Sequence, residues 1–528
     1  MERRVLLAAA ISSLFLVFYL QTVAKIPPPV PQSSQQQRVV DVNSAQESVE
    51  SSAHTRHDAL KKVMAQEGVV LIESPEVSLE IGKKSAAIRR VTMKRFSDTT
   101  THQTLQFGNA WPVFSVNIGE SAAPWNVSSV DEKRVIFDRL DGEGVSRRIS
   151  YALRTDNPVV DIELEQEAGA NPVKDNNISF TTTWFKGDKL DNKNNQLEAV
   201  IYSENNGKKS YKRILGDPLK SDRIVPRGTI LSLSERHFCL SLKPDGGQLN
   251  VAVLASTMKD ERAKISADAL IEISDAQKQA KYSAALYLGP RDYFYLRKAG
   301  FSDAFHVGAI GQIGLILLMA LSALARITGN YGVAIVLFSV TITCLMAPFT
   351  LMGFRSMKKM QDLKPNMDKI MAQHKNDPKR ANKEVLALYK EHKVSPLGGC
   401  LPMLLQMPIF IAMFQAISHY IDLRGKAFLW IKDLSMPDQI MAFPFQVPII
   451  GNQLNLLPII MAAAMFFQTK MTQASSGVAQ DNPTAKMMSG PMMPIIFCVM
   501  FYHFSAGLVL YWLSNTLTSL AFYKLSKA

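Results

Sequence analysis

The stretch Tyr331-Gly332-Val333-Ala334-Ile335-Val336-Leu337-Phe338-Ser339-Val340-Thr341-Ile342-Thr343-Cys344-Leu345-Met346-Ala347-Pro348-Phe349-Thr350 carries no charged side chain across twenty residues. As a helix rising 1.5 Å per residue it would reach about 30 Å, the thickness of a bilayer's hydrocarbon core. Uncharged apolar runs recur on both sides of it, over 397–418, 454–467, 487–504 and 508–523 in one direction and over 307–325 and 5–24 in the other. The later part of the chain therefore reads as membrane protein, and the overall 47% hydrophobic content averages two unlike regions. Of the 24 Met in 528 residues, twenty follow residue 300, and so does +9 of the net charge of +13.

Most of that excess charge lies between the runs 331–350 and 397–418. The stretch 353–395 holds eleven Lys/Arg against five Asp/Glu, and the positive-inside bias places it in the cytoplasm. Arg3 and Arg4 precede the run 5–24 and put the N-terminus on the same side. Thr22-Val23-Ala24 would serve as a signal-peptide cleavage site, but the run is long for a signal core, so 1–25 is read as an uncleaved anchor. The residues after it are then outside. Returning inside before residue 353 takes an odd number of crossings, so only one of 307–325 and 331–350 can span. The former contains Gly308, Gly311 and Gly314 and reaches Arg326; 301–330 is therefore read as an interfacial amphipathic helix on the outer surface. The membrane core is 331–528. Its outer loop 421–449 is charge-neutral, its inner loop 469–486 carries Lys470 and Lys486 against Asp481, and Ser505-Ala506-Gly507 turns a tight outer hairpin. The count is six spans with both termini inside.

Residues 26–66 are rich in Pro, Ser and Gln and cannot bury enough apolar area to offset ordering entropy, so they read as a linker. From 67 to 300 the texture is β. Glu76-Val77-Ser78-Leu79-Glu80-Ile81 alternates strictly, Val113-Phe114-Ser115-Val116-Asn117-Ile118 and Ile230-Leu231-Ser232-Leu233 do so in part, and Asp141-Gly142, Asn205-Asn206-Gly207 and Asp245-Gly246-Gly247 mark turns. This predicts a large antiparallel β-sandwich. His102 and His237 lie in it without a motif of catalytic spacing. Cys239, Cys344, Cys400 and Cys498 form no CxxC pair and no metal-ligand set, so neither a disulfide framework nor a metal is expected. No Lys/Arg stripe interleaved with aromatics marks a nucleic-acid surface.

No Asp, Glu, Lys or Arg interrupts the later spans, which argues against ion-coupled transport and against a buried protease. Uncharged polar residues are present. Ser339 and Thr343 are four apart on one span; Tyr511, Asn515 and Thr518 share a face of the last, beside Trp512 and Ser514; Gln406 precedes Met407-Pro408. Such residues serve as helix–helix glue or line a wetted groove, and spacing alone leaves both open. In 353–395, Met357, Met360, Met367 and Met371 recur at helical spacing, and Asn376-Asp377-Pro378 turns the chain into a second helix. The Met seam suits ordinary hairpin packing or a surface accepting varied apolar guests.

Ala387-Leu388-Tyr389-Lys390, Val394-Ser395-Pro396-Leu397-Gly398-Gly399-Cys400-Leu401-Pro402 and Gln406-Met407-Pro408-Ile409-Phe410 strongly resemble the YidC membrane protein insertase family. So do Phe428-Leu429-Trp430-Ile431-Lys432-Asp433-Leu434-Ser435 in the outer loop and Ser505-Ala506-Gly507-Leu508-Val509-Leu510-Tyr511-Trp512-Leu513-Ser514-Asn515 in the last hairpin. The resemblance is residue by residue over about 327–523 and architectural before that. It implies an α+β membrane protein of the bacterial inner membrane: an anchor helix, a large periplasmic antiparallel β-sandwich, and a five-helix membrane core with a cytoplasmic helical hairpin. It implies an insertase and chaperone rather than an enzyme, needing no cofactor and working alone or with the Sec translocon. A substrate groove would involve Ser339, Thr343, Gln406, Tyr511, Trp512 and Asn515, and the substrate helix would leave along 397–418 and 487–504. The hairpin, with Met357, Lys358, Lys359, Met360, Lys379 and Arg380, would help recruit substrates. Nascent membrane proteins, the ribosome, the signal recognition particle receptor and the lipid bilayer are the other implied partners. Ala528 closes a tail without the longer basic extension of many relatives, which weakens tail-mediated ribosome contact.

One position departs from the family. Its groove Arg stands five residues before a span-ending Pro, and counting back from Pro348 gives Thr343. The expectation is a groove hydrated by neutral groups, Thr343 with Ser339, Gln406 and Asn515. The alternative function is a channel or transporter with a sensory β domain. A sugar-binding role for the sandwich rests on fold analogy alone.

Overall fold

The computed structural model describes residues 67–97, 104–108, 112–118, 123–141, 144–167, 178–185, 197–205, 208–215, 223–246, 249–257, 263–271, 279–305, 309–374, 377–392, 394, 401–447, 450–473 and 492–527. The anchor and linker expected over 1–66, His102, and the motif residues 395–400 with Cys400 lie outside the described residues.

Between Val69 and Pro290 the chain forms two nine-stranded antiparallel sheets. The first runs from Val69–Glu73 through Val77–Gly82, Ile88–Ser97, Phe114–Ile118, Ile178–Phe185, Ala263–Ile271 and Leu249–Thr257 to Arg223–Gly228, with Thr104–Phe107 also paired to Ile88–Ser97. The second runs from Lys208–Leu215 through Glu198–Asn205, Ile230–Ser234, Phe238–Pro244, Gln279–Pro290, Val159–Glu167, Ser146–Leu153 and Arg134–Leu140 to Asn126–Val130. Period-2 alternation gives each strand an apolar face: Val135 and Phe137 on one strand and Val77, Leu79 and Ile81 on another enter the same core. That core draws on both sheets, with Phe107 stacked on Trp184 at 4.6 Å and tilted against Phe238 at 5.4 Å. Ile230–Ser234, between two other strands of its sheet, is buried along its whole length because both its faces are covered, by the other sheet and by 302–304.

The turn signals divide into two kinds. Asn205 and Asp141 end strands that pair with the next strand in the chain, as hairpins. Asp245-Gly246 does not make a hairpin: Phe238–Pro244 belongs to the second sheet and Leu249–Thr257 to the first, so the turn carries the chain across the core. Gly246 sits at φ 86°, which only glycine adopts without cost.

A short helix, Tyr293–Ala299 (α1), closes the β region. The Asp292 carboxylate accepts from the Phe294 N–H at 2.8 Å, and Gly300 ends the helix at φ 84°. Then follow Ala309–Thr328 (α2), Tyr331–Gln373 (α3), Pro378–Glu391 (α4), Leu401–His419 (α5), Leu457–Gln473 (α6), Met492–Phe501 (α7) and Ala506–Lys527 (α8), with a β-hairpin of Gln439–Val447 and Gly451–Asn455 before α6. Among the described residues, α2 and α3 each contain a stretch long and apolar enough to cross a membrane, and α5, α6 and α7 contain shorter apolar segments. An N-terminal β-rich domain is thus followed by a helical region.

The described residues fall into two compact units, 348–410 and the remainder. In the smaller unit, Asp377 caps α4 by accepting from the Arg380 N–H at 3.1 Å, with Pro378 at the first helical position. Met360, Leu363 and Val394 form its buried centre, and the Tyr389 hydroxyl meets the Met367 sulfur at 3.0 Å.

In the larger unit, α2 lies along α5. A side chain at Gly314 would stand 2.8 Å from the Ala412 carbonyl, and eight residues further along each segment Ser322 bonds Tyr420, the residue just after α5. Leu318, Leu321 and Ala325 are buried, while Ile313, Ile316 and Met319 are exposed, so the outward face of α2 also carries large apolar side chains, beside the exposed Gln312 and Arg326.

Candidate functional site

Of the polar residues singled out on the apolar helices, Ser339 of α3 meets Tyr511 of α8. Ser339 and Thr343, one helical turn apart, are 0% and 3% exposed. The Ser339 hydroxyl donates across to the Tyr511 carbonyl at 3.2 Å, and the Thr343 hydroxyl donates back to the Ser339 carbonyl at 2.7 Å. Thr341, Thr516 and Thr518 satisfy their hydroxyls in the same way, each on the carbonyl four residues earlier. On a helix this is the nearest acceptor a hydroxyl can find. The spacing at 339 and 343 therefore serves, in part, as glue between helices and, in part, as local backbone satisfaction.

Tyr511 is fully buried, its ring 6.3 Å from Phe338. Trp512 turns the other way, its ring 5.6 Å from Phe497 and 5.5 Å from Phe501 of α7. Asn515, one turn after Tyr511, is half-buried, and its Nδ2 is enclosed without a hydrogen-bond partner among the described residues. An enclosed amide without an acceptor costs about 1–3 kcal/mol, so Asn515 holds an unspent donor beside a seam whose hydroxyls are committed. Gln406 belongs to the smaller unit, where it is half-buried and bonded.

The loop after α5 ties together the ends at which α6 and α8 begin. The Leu434 and Met436 carbonyls accept from the Gly507 and Ala506 N–H groups at 2.8 and 2.7 Å, capping α8. Asp438 accepts from the Leu457 N–H at 2.7 Å and from the Trp430 indole at 3.1 Å, capping α6, and burial pushes its carboxyl above the usual range. Phe428 packs directly on Gly332, where a side-chain carbon would stand 2.1 Å from its ring. Tyr331 bonds both Tyr420 and Asp422. Two stretches far apart in sequence, 428–435 and 505–515, thus meet through backbone hydrogen bonds.

Arg236 joins the β domain to this end, donating to the Ser418 carbonyl at 2.9 Å and the Ser435 carbonyl at 3.0 Å. Ile421 sits inside the β-domain core, and Arg424 lies over the Phe238 ring. Sequence reasoning passed over Arg236, Gly332 and Asp438, since a single Arg, Gly or Asp has no local pattern. His503 is half-buried beside the Tyr502 ring, and the His419 side chain lies outside the described residues.

In the smaller unit, Lys358, Lys359, Lys379 and Arg380 are exposed, whereas Met360 and Met367 are buried against α4. Met357 lies on the same helix. The Met seam is occupied by the hairpin's own packing. Among the described residues no group of His, Cys, Asp and Glu is arranged to hold a metal.

Comparison with known proteins gives consistent matches. The family model described as 60Kd inner membrane protein matches residues 323–526. A membrane protein insertase YidC from Endomicrobium trichonymphae is 37% identical over 292 residues, 55% of this chain and 54% of that protein. The same-named protein of Pelobacter propionicus is 26% identical over 553 residues, covering 98% of each chain. The higher-identity alignments thus span about half the length of the relatives they match. A crystal structure of an active YidC insertase, with its first transmembrane domain resolved, matches at 18% identity and a TM-score of 0.38, covering 90% of this chain and 98% of that one.

Proposed function

The chain belongs to the YidC family of inner-membrane proteins, and from that membership we propose that it inserts membrane proteins into the bilayer and helps them fold and assemble. The observation that carries a groove mechanism is the enclosed Nδ2 of Asn515, without a partner among the described residues, one helical turn after Tyr511, whose carbonyl accepts from Ser339, on spans without a charged residue. A guest segment entering between helices brings carbonyls that have lost water; an amide already desolvated gains the full bond when one arrives. Moving the guest's apolar helix into lipid supplies the drive, since each buried methylene contributes about 0.8 kcal/mol. Thr343 at the family's Arg position gives this groove a neutral lining, so acidic translocated segments receive no fixed-charge attraction.

The membrane core comprises five crossings, α3, α5, α6, α7 and α8, with the anchor as a sixth and both termini in the cytoplasm. The β domain lies in the periplasm. α2 leans along α5 within the outer leaflet without completing a crossing, because a full crossing would put the basic hairpin outside. The hairpin offers substrates, and the ribosome or Sec partners that deliver them, a basic face of Lys358, Lys359, Lys379 and Arg380.

Photo-crosslinking to a stalled nascent membrane protein tests the groove. Adducts from positions 343 and 515 are expected, and their absence, with adducts formed elsewhere on the core, sinks the groove assignment. In insertase-depleted cells Asn515→Leu should impair growth more than Thr343→Val, since the Thr343 hydroxyl is already spent on its own helix. Equal growth of Asn515→Leu and wild type would remove the role given to the amide.

A further inference from the structure

No charged side chain occurs over 439–469. This run covers the outer β-hairpin and most of α6, and the hairpin exposes large apolar side chains: Phe445 is 60% exposed, Met441 54% and Ile440 45%. Phe443 and Phe445 stack at 5.5 Å, extending one aromatic surface. A soluble extracytoplasmic loop would normally punctuate such a surface with charge, because contiguous exposed apolar area marks a binding face.

The hairpin is held at a fixed height. Asn455 ends its second strand two residues before α6 opens at Leu457. The Tyr502 hydroxyl, just past the end of α7, donates to the Gln453 carbonyl at 3.0 Å and accepts from the Asn455 N–H at 3.1 Å. The Asn455 side-chain amide donates to the Tyr502 carbonyl at 2.7 Å. The strand is thereby fastened across the outer ends of α6 and α7. Those helices expose Ile459, Phe466 and Phe467, and Ile495, Ile496, Val499 and Met500. The apolar exterior of the two helices thus runs without a charged break onto the hairpin.

We propose that this hairpin binds the lipid of the outer leaflet, resting Ile440, Met441 and Phe445 in the boundary between headgroups and acyl chains. The proposal rests on the membrane-spanning reading of α6 and α7. Depth follows from hydrogen bonding. A two-stranded hairpin has two open edges whose N–H and C=O groups need water, so it cannot enter the hydrocarbon core. Pro444 removes one such N–H, and Phe side chains are among those that interfacial segments bury at the headgroup–acyl boundary. The interface offers both requirements, water for the edges and acyl chains for Phe445. The hairpin then sets the depth of the outer ends of α6 and α7.

The test places the photoreactive residue p-benzoylphenylalanine in place of Phe445, Phe467 or Leu140, one at a time, in the full chain. Each variant is reconstituted in phosphatidylethanolamine–phosphatidylglycerol vesicles and irradiated, and adducts are identified by mass. Leu140 is 71% exposed in the β domain and Phe467 is 61% exposed on α6, so they serve as water-facing and lipid-facing references. Lipid adducts from 445 and 467 but not from 140 support the proposal. Lipid adducts from 467 alone, or a 445 adduct to a second copy or another protein, overturn it while leaving the spanning reading intact. No lipid adduct from 467 overturns the spanning reading itself, and the hairpin proposal with it.

Discussion

Two single residues carry consequences out of proportion to their size. Gly332 lies under the Phe428 ring with no room for a side-chain carbon. Gly332→Val must displace the ring and the loop behind it, at a cost of about 1–3 kcal/mol, and thermal melting in detergent should show the loss. Asp292 is 3% exposed, and burial raises its carboxyl from 3.8 to about 6, with Asp422 adding to the shift. The folded chain therefore keeps a proton that the unfolded chain loses as pH rises from 3.8 to about 6. Stability should fall across that window by about 3 kcal/mol and stay lower above it. Asn caps a helix as well as Asp and carries no charge, so Asp292→Asn should melt with a flatter pH dependence and a higher midpoint at neutral pH. An unchanged pH profile would remove Asp292 as its source. Neither residue was legible beforehand: sequence shows a glycine in a span and an acid near a helix start, whereas burial and the neighbouring ring come from distant chain.

At the scale of elements, legibility followed periodicity. Among the described residues the apolar runs gave helices, with α7 ending three residues before its run 487–504 does. Alternation gave strands, although alternation does not say which sheet a strand joins, and Asp245-Gly246 turned out to pass between sheets. α1 had a readable signature, Asp292 before it and Gly300 after it, yet its seven residues are too few for a periodic pattern. The Met seam of the basic hairpin had two readings, and the burial of Met360 and Met367 assigns it to internal packing. The surface left for partners is basic. Reversing Lys358, Lys359, Lys379 and Arg380 to Glu should leave α3 and α4 helical by circular dichroism while reducing insertion of a test substrate. The loss should shrink at high salt, where exposed charges are screened within about 3–10 Å; a salt-independent defect would point away from electrostatic recruitment.

At the scale of the molecule, Arg236 is a fastening between the β domain and the helical region, through the Ser418 carbonyl at the end of α5 and the Ser435 carbonyl of the loop after it, 182 and 199 residues away. Hydrogen bonds from a charged group contribute about 1.5–3 kcal/mol each at best. Arg236→Ala should leave both regions folded yet raise amide exchange around 418–436, measured by mass spectrometry; unchanged exchange there would show that Ile421 and Arg424 hold the junction without it. Reading along the chain was enough for its division into a β-rich and a helical region and for its likeness to the YidC insertases, because hydropathy and long ordered motifs are local quantities summed along the chain. How the polar residues of the apolar helices are used came from their packing. Ser339 and Thr343 spend their hydroxyls on backbone, Asn515 keeps a donor, and the motif at 428–435 caps the one at 505–515. A hydrogen-bond partner is fixed by which segments pack together, and no spacing along the chain encodes that.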